Sequence, residues 1–206
     1  PSVAVESTAY FVVAEALTNT AKHASATRLC VRVWREGDVV VATHLLDEAD
    51  ELSTAFGLDY PAAGAYRAHA LALAGEPSAA AHRATAGVAA AAERGSAWDA
   101  LLHNRALGLL ALTQGDLTTC AAHLSGVRAQ AAHLGVVEPA FLAADLDLVD
   151  ALAGLGEVGT LRDIVTDLEA CATRGQLPWT RLAAARGQVL LAAAGTMAPP
   201  VARPAP

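Results

Sequence analysis

The sequence predicts a mainly α fold, built as a right-handed stack of helical hairpins with a period of about 40 residues, behind a small N-terminal helix and β-hairpin. Glycines recur at a regular spacing, and apolar residues between them recur three and four positions apart. The composition is 54% hydrophobic but only 4% aromatic, and it is rich in alanine, which favours helices and lets them approach closely. We therefore divide the chain into 1–43, a repeat domain at 44–195 and a tail at 196–206.

The first 43 residues are predicted to form one helix and a two-stranded hairpin. Residues 8–24 have helical spacing of apolar residues, whereas 27–34 alternate and 39–41 form a second β-rich run after a Gly-Asp pair. A piece of this size is too small to bury a core of its own. We therefore expect it either to dock on something else or to be unstable.

Two interleaved series of glycines organise the rest of the chain, with spacings of 38 to 41 residues within each series. A glycine at the end of a helix commonly takes the left-handed conformation, which other residues enter only with strain. Each glycine is therefore predicted to end one helix, two per repeat. The series are Gly57, Gly95, Gly135 and Gly175, and Gly75, Gly115, Gly156 and Gly195.

Eight helices are predicted between these glycines, at 45–56, 60–74, 78–94, 97–114, 117–134, 139–155, 158–174 and 179–194. The first helix of each hairpin opens with one aromatic residue, which we interpret as a plug between successive hairpins. These aromatics are Tyr60, Trp98, Phe141 and Trp179. Residues 196–206 contain four prolines, and we expect them to form a disordered tail.

Composition argues against several classes of function. The net charge of −7 and the lack of clustered basic residues disfavour direct nucleic-acid binding. The cysteines Cys30, Cys120 and Cys171 are too dispersed to suggest disulfides or zinc, which favours a reduced cytoplasm. No apolar run is long enough to predict a membrane span.

The remaining polar residues suggest no catalytic or metal site. No two histidines have metal-ligand spacing beside a carboxylate, so we interpret them as surface or packing residues. Asp145, Asp147 and Asp150 lie close together in one predicted helix, near Glu138. They lack the glycine and the alternating ligands of a calcium-binding loop. We interpret them as a solvated acidic face, with a partner-binding surface as the alternative. The histidines are His23, His44, His69, His82, His103, His123 and His133.

One group of polar residues in the predicted first helix has the composition of a binding site. Glu15, Asn19, Lys22 and His23 lie on or near one face of the predicted first helix. A carboxylate that polarises water, an amide oxygen that binds Mg²⁺ and basic groups that reach phosphates are the parts of a nucleotide site. The spacing therefore predicts a partial ATP site.

The segment that contains these residues, 5–24, closely resembles the N box of bacterial sensor histidine kinases of the GHKL ATPase superfamily, and the resemblance extends to about residue 41. It implies that Asn19 holds Mg²⁺, that Glu15 acts near the water or metal, and that Lys22 and His23 approach the phosphates. The family's Asp-x-Gly-x-Gly loop does not follow Val41, and its lid and phosphoacceptor segment are also missing. We therefore expect a vestigial ATP/Mg site and no enzyme activity.

From about residue 45 to 195 the sequence resembles the tetratricopeptide-like region of LuxR-type ATP-dependent transcriptional regulators. The resemblance is carried by 45–49, by 106–116 and by 146–156. The P-loop ATPase and basic recognition helix of that family have no counterpart here. Whether the change at 42–45 is a natural fusion or an assembly artefact stays open.

Together these patterns predict a non-enzymatic interaction or sensor scaffold of a bacterial signal-transduction or transcriptional-regulator protein. It would bind a protein, peptide or small effector on its repeat surface, without a cofactor of its own and without contact to nucleic acid or membrane. ATP and Mg²⁺ would enter only if the missing part of the site were supplied elsewhere. The alternative is an ATP-binding fragment of a sensor histidine kinase.

Overall fold

The computed structural model describes residues 35–36, 39–40, 61–175 and 177–197. In these ranges the chain is mainly helical. Two short strands pair antiparallel, β1 (Arg35–Glu36) and β2 (Val39–Val40). The α-helices are α1 (Pro61–Leu73), α2 (Pro77–Arg94), α3 (Ala97–Thr113), α4 (Leu117–His133), α5 (Asp145–Leu155), α6 (Val158–Gly175) and α7 (Pro178–Met197).

Five of the predicted helix-ending glycines take the left-handed conformation. Their φ angles lie between 66° and 79°. Around Gly115, the N–H of Gly115 donates to Leu112 O at 3.0 Å and the N–H of Asp116 donates to Ala111 O at 2.9 Å. This pair of bonds is the Schellman motif, which satisfies carbonyls that the helix end would leave unpaired. The same pair of bonds recurs after each of the five, which are Gly75, Gly95, Gly115, Gly135 and Gly156.

Two glycines of the series depart from this prediction. Gly195 lies within α7, because the alanine-rich helix continues to Met197. Gly175 is the last residue of α6, where an added Cβ would lie 2.8 Å from Glu138 Oε2. Gly175 therefore makes room for a side chain instead of forming a left-handed turn. Gly57 and the predicted helix at 45–56 lie outside the described residues.

The predicted helix at 139–155 is wrong in its first third. Pro139–Phe141 form a 3-10 turn, and the α-helix begins at Asp145. The Glu138 side chain accepts a hydrogen bond from Ala140 N at 3.2 Å, which caps the turn. Ala143 then takes a φ of 51°, an uncommon value for a residue with a Cβ. Because of this break, the connection between α4 and α5 is longer than the other connections between the described helices.

Consecutive hairpins pack on one another. Helix α3 contacts α1, α2 and α4, and α7 contacts both α5 and α6. In the middle of the stack the core is made of large aliphatic side chains, whereas α1 and α2 pack mainly through alanines. The fully buried leucines are Leu101, Leu124, Leu148, Leu152, Leu161 and Leu168.

Several glycines inside the helices accept side chains from neighbouring helices. The His103 ring of α3 lies against Gly87 of α2, so closely that a Cβ on Gly87 would overlap the ring. Gly108 receives Leu124 of α4 in the same way. These contacts explain why glycine occupies both positions although it lowers helix propensity.

The aromatic residues behave differently from one another. Trp98 and Trp179 are partly buried against the main core. Phe141 is 57% exposed and packs edge-on against Trp98, with ring centroids 6.1 Å apart. Trp98 and Trp179 therefore fit the predicted plugs, whereas Phe141 lies in the 3-10 turn and shields Trp98 from outside. Tyr60 lies outside the described residues.

Candidate functional site

The predicted nucleotide residues Glu15, Asn19, Lys22 and His23 lie outside the residues that the structure describes. So do most of the predicted N-terminal hairpin and residues 198–206 of the tail. The site that can be built from the described residues is instead a polar network that connects the first helices of the hairpins, α1, α3, α5 and α7.

Arg105 is the centre of this network. Its guanidinium extends from α3 to His69 of α1, with Nη1 2.6 Å from the ring Nδ1, and donates from Nη2 to Ala143 O at 3.2 Å. Its Nε is buried without a hydrogen-bond partner among the described residues. Arg105 thereby connects the first hairpin to the segment that precedes α5, and its bond to Ala143 fixes the carbonyl of the residue with positive φ.

His69 is held neutral by its surroundings. The residue is 4% exposed, and burial together with the neighbouring Arg105 charge holds its pKa well below 6.5. A neutral imidazole can accept a hydrogen bond, whereas a protonated one would repel the guanidinium. The Arg105–His69 contact therefore requires the neutral ring.

Asp147 supplies negative charge near Arg105. Burial raises the pKa of Asp147 to about 6. The charges of Arg105 and Arg186 oppose this rise, whereas the charge of Asp150 adds to it. Asp150 itself forms a bidentate ion pair with Arg186 of α7, at 2.6 and 2.8 Å. The network thus continues from α5 to the last helix.

A second arginine joins α4 to the third hairpin. Arg128 donates to Asp145 at the start of α5 and to Asp167 of α6, the latter at 2.8 Å. Asp145 is only 6% exposed, and burial raises its pKa against the opposing effect of Arg128. The prediction of a solvated acidic face at Asp145, Asp147 and Asp150 is therefore wrong, because arginines of other helices pair with or lie near these carboxylates.

Glu138 also has a structural role. Its carboxylate accepts a hydrogen bond from the hydroxyl of Thr180, a fully buried residue at the start of α7. Together with the cap on Ala140, this bond ties the 3-10 turn to the last helix.

An open groove lies on another side of α3, where Asn104 precedes Arg105. It has a volume of about 410 Å³ and is lined by one residue of α3 and seven residues of α4. At its floor, Asn104 Oδ1 lies 3.1 Å from His123 Nδ1. None of the eight lining residues carries a fixed charge. They are Asn104, Thr118, Thr119, Ala122, His123, Gly126, Val127 and Gln130.

Within the described ranges no group of histidines, cysteines and carboxylates could hold a metal ion. His69 and His103 are buried, and His82 and His133 are exposed. Burial and nearby carboxylates raise the pKa of the Cys120 thiol to about 12, so it is not a nucleophile at neutral pH. Both cysteines in these ranges, Cys120 and Cys171, are free thiols.

Sequence reasoning missed Arg105 and Arg128. A signal was present, because each lies in a predicted helix among apolar residues of the buried face, where an arginine needs a partner. The partners themselves lie 17 to 39 residues away in the chain. No local pattern could have identified them.

Comparisons with known proteins found no family model, curated protein or solved structure that matches this chain. None of the described helices is long and apolar enough to cross a membrane.

Proposed function

We propose that this chain is a non-enzymatic interaction or sensor scaffold of a bacterial signal-transduction or transcriptional-regulator protein. Its tetratricopeptide-like hairpins, stacked with a right-handed twist, would bind a protein, peptide or small effector. A small N-terminal helix and β-hairpin would precede these repeats. The free thiols Cys120 and Cys171 support a reducing, cytoplasmic setting.

The observation that supports this proposal is the polar network that crosses the hairpins. Arg105 bonds forward to Ala143 and back to His69, and Asp150 bonds to Arg186. In repeat proteins each unit is stabilised mainly by its neighbours. A ligand that binds the first-helix side at one hairpin would therefore affect the packing of the next.

A photo-crosslinking experiment tests which side of the stack meets a partner. Val189 is 69% exposed on α7, one turn from Arg186 and therefore on the same face. Asp163 is an exposed residue of the second helix α6. A photoreactive amino acid at position 189 should give covalent adducts in cells, whereas the same group at position 163 should give few.

Equal adducts at the two positions, or none at position 189, would contradict a scaffold that acts through its first helices. Circular dichroism of both variants should match the parent chain, because neither position is buried.

The alternative function, an ATP-binding fragment of a sensor histidine kinase, is supported by the spacing of Glu15, Asn19, Lys22 and His23. It would require the adenine-binding loop and lid to be supplied by another chain or domain. We place it second because the described residues form a helical stack.

A further inference from the structure

Two opposite charges on the first-helix side lie near each other without forming an ion pair. Arg105 of α3 and Asp147 of α5 are close enough for their charges to interact. Within the described ranges, however, Asp147 has no hydrogen bond or salt bridge, and Arg105 bonds only to the neutral groups of His69 and Ala143. The neighbouring Asp150 is already held by Arg186 through two bonds.

Both groups can be reached from solvent and have hydrogen-bonding capacity left. The side chains of Arg105 and Asp147 are each partly exposed. Each terminal nitrogen of the Arg105 guanidinium uses one N–H, toward His69 or Ala143, and carries a second. The Asp147 carboxylate keeps the acceptor sites of both oxygens. A ligand between α3 and α5 could therefore bond to both residues.

The surroundings make the unpaired state of these two charges costly. Burial lowers the pKa of Arg105, and the charge of Asp147 only partly offsets this effect. Burial also raises the pKa of Asp147 to about 6. In both cases the protein disfavours the charged form, because charges taken from water need a direct partner to be stable. A ligand that supplies the opposite charge to each of them would provide that partner.

The signs of the two charges select the class of ligand. A simple anion on Arg105 would lie beside the negative Asp147, and a simple cation on Asp147 would lie beside the positive Arg105. A neutral ligand would leave both charges without an ionic partner. Only a zwitterion complements both groups at once.

The separation of the two groups favours a small zwitterion. Arg105 bonds to the carbonyl of Ala143, and Asp147 follows in the first turn of α5, about one helical pitch or roughly 5 Å further along. An α-amino acid carries its ammonium and its carboxylate on the same carbon. It can therefore bridge a gap that is slightly too long for a direct ion pair.

We propose that Arg105 and Asp147 bind a free α-amino acid between α3 and α5, with the ligand's carboxylate on the guanidinium and its ammonium on the Asp147 carboxylate. This inference rests on the function proposed above and names the small effector of the first-helix side. Because α3 and α5 belong to successive hairpins, the bound amino acid would strengthen the contact between them.

Calorimetric titration of the full chain at pH 7 tests the ligand class, with L-alanine as the probe. Three analogues each change one feature: N-acetyl-L-alanine lacks the ammonium, L-alaninamide lacks the carboxylate, and L-alanyl-L-alanine has its charges further apart. We expect L-alanine to bind at least about tenfold more tightly than each analogue, because each analogue loses one charge-assisted contact.

Two variants should exchange the preference between analogues. Asp147→Asn should weaken L-alanine at least about tenfold and strengthen N-acetyl-L-alanine, because the carboxylate that repels an anion is removed. Arg105→Gln should weaken L-alanine and strengthen L-alaninamide for the converse reason. Asp163→Asn, at an exposed position of α6, is the matched control and should bind as the parent does.

A general loss of structure would weaken all probes and could not produce this exchange. Asp147→Asn should stay folded at pH 7, because asparagine avoids the cost of a desolvated carboxylate. Circular dichroism checks this, and it keeps the test decisive if Arg105→Gln fails to fold.

The affinity of the parent chain for L-alanine should also fall about tenfold from pH 7 to pH 5, because Asp147 becomes mostly protonated over this range. The other groups near Asp147 are Arg105 of α3, Cys120 of α4, Arg186 of α7 and Asp150 on its own helix. Both arginines stay charged, Asp150 stays paired with Arg186, and the Cys120 thiol, whose pKa is about 12, stays protonated. Asp147→Asn should not show this fall.

The proposal is overturned if neither L-alanine nor any other common α-amino acid binds, or if Asp147→Asn binds L-alanine as the parent does. Equal binding of N-acetyl-L-alanine or L-alaninamide would also overturn it, and tighter binding of L-alanyl-L-alanine would replace it with a peptide site. These titrations need no partner protein, so their failure leaves the crosslinking result at Val189 unaffected and distinguishable.

Discussion

Asp147 and His69 are ionisable residues that change the stability of the fold in opposite directions as the pH rises. Asp147 has a pKa of about 6 in the folded chain against an ordinary value of 3.8, because the surrounding protein desolvates its carboxylate. The protonated form of Asp147 therefore stabilises the fold. This contribution is complete below about pH 4 and is lost as the pH rises through about 6. His69 has a pKa well below 6.5 when folded, so stability from His69 is gained as the pH rises toward 6.5.

We therefore expect the two substitutions to change the pH profile in opposite directions. Asp147→Asn should make stability rise more steeply between about pH 4 and 6, because one of the opposing losses is removed. His69→Gln should reduce the rise without abolishing it, because the lowered pKa of His123 also contributes, and it should leave the loss due to Asp147. Urea midpoints at several pH values measure both profiles, and profiles parallel to that of the parent chain would contradict these assignments.

Glycines at helix ends and glycines inside helices should respond differently to substitution. Gly115 has a φ of 76°, so Gly115→Val should cost about 1–2 kcal/mol of stability through backbone strain. Gly126 lies inside α4 with open space beside it, so Gly126→Val should be neutral or stabilising because valine has the better helix propensity.

Gly87→Ala provides the third comparison. Alanine would improve helix propensity by about 1 kcal/mol, but its Cβ would overlap the His103 ring, and we expect a net loss of stability. Thermal melts rank the three variants. If Gly87→Ala were as stable as Gly126→Val, the packing of His103 against α2 would have to be rejected.

Among the elements, the segment between α4 and α5 differs most from the repeat pattern. Its 3-10 turn places Phe141 against Trp98, the residue that packs on the core at the start of α3. Repeat units depend on contacts with their neighbours, and this aromatic pair joins the second hairpin to the third.

Removing Trp98 should therefore loosen both hairpins. We expect Trp98→Ala to cost about 3 kcal/mol, the lower end for a large aromatic because the side chain is only partly buried. Phe141→Ala should cost about 1 kcal/mol, since the ring is 57% exposed. Chemical denaturation measures both, and an unchanged midpoint for Trp98→Ala would show that Trp98 is no plug.

At the scale of the whole molecule, the proposal of a partial ATP site leads to a prediction of weak nucleotide binding. The sequence has no Asp-x-Gly-x-Gly loop after Val41, the loop that reads adenine in sensor histidine kinases. ATP with Mg²⁺ should therefore bind no more tightly than about 1 mM, near −4 kcal/mol. Calorimetric titration tests this, and micromolar binding abolished by Asn19→Ala would favour the kinase-fragment alternative.

The sequence by itself predicted the helical class and most helix boundaries. Five of the seven predicted glycine turns that lie in the described residues are left-handed, and α1 to α4, α6 and α7 begin within one residue of their predicted positions. These features are local: a glycine's access to positive φ and the spacing of apolar residues act within a few residues. The failure at 139–155 is also instructive, because there a tertiary bond from Arg105 to Ala143 accompanies the broken helix.

Only the tertiary structure decided which polar residues meet. The pairs Arg105–His69, Arg128–Asp167 and Arg186–Asp150 are 36 to 39 residues apart in the chain. That separation is close to one repeat, which is why equivalent positions of neighbouring hairpins become adjacent when the stack forms. Periodicity predicts that such neighbours exist, but the identity of each pair depends on helix rotation and on the desolvation that makes an unpaired charge costly.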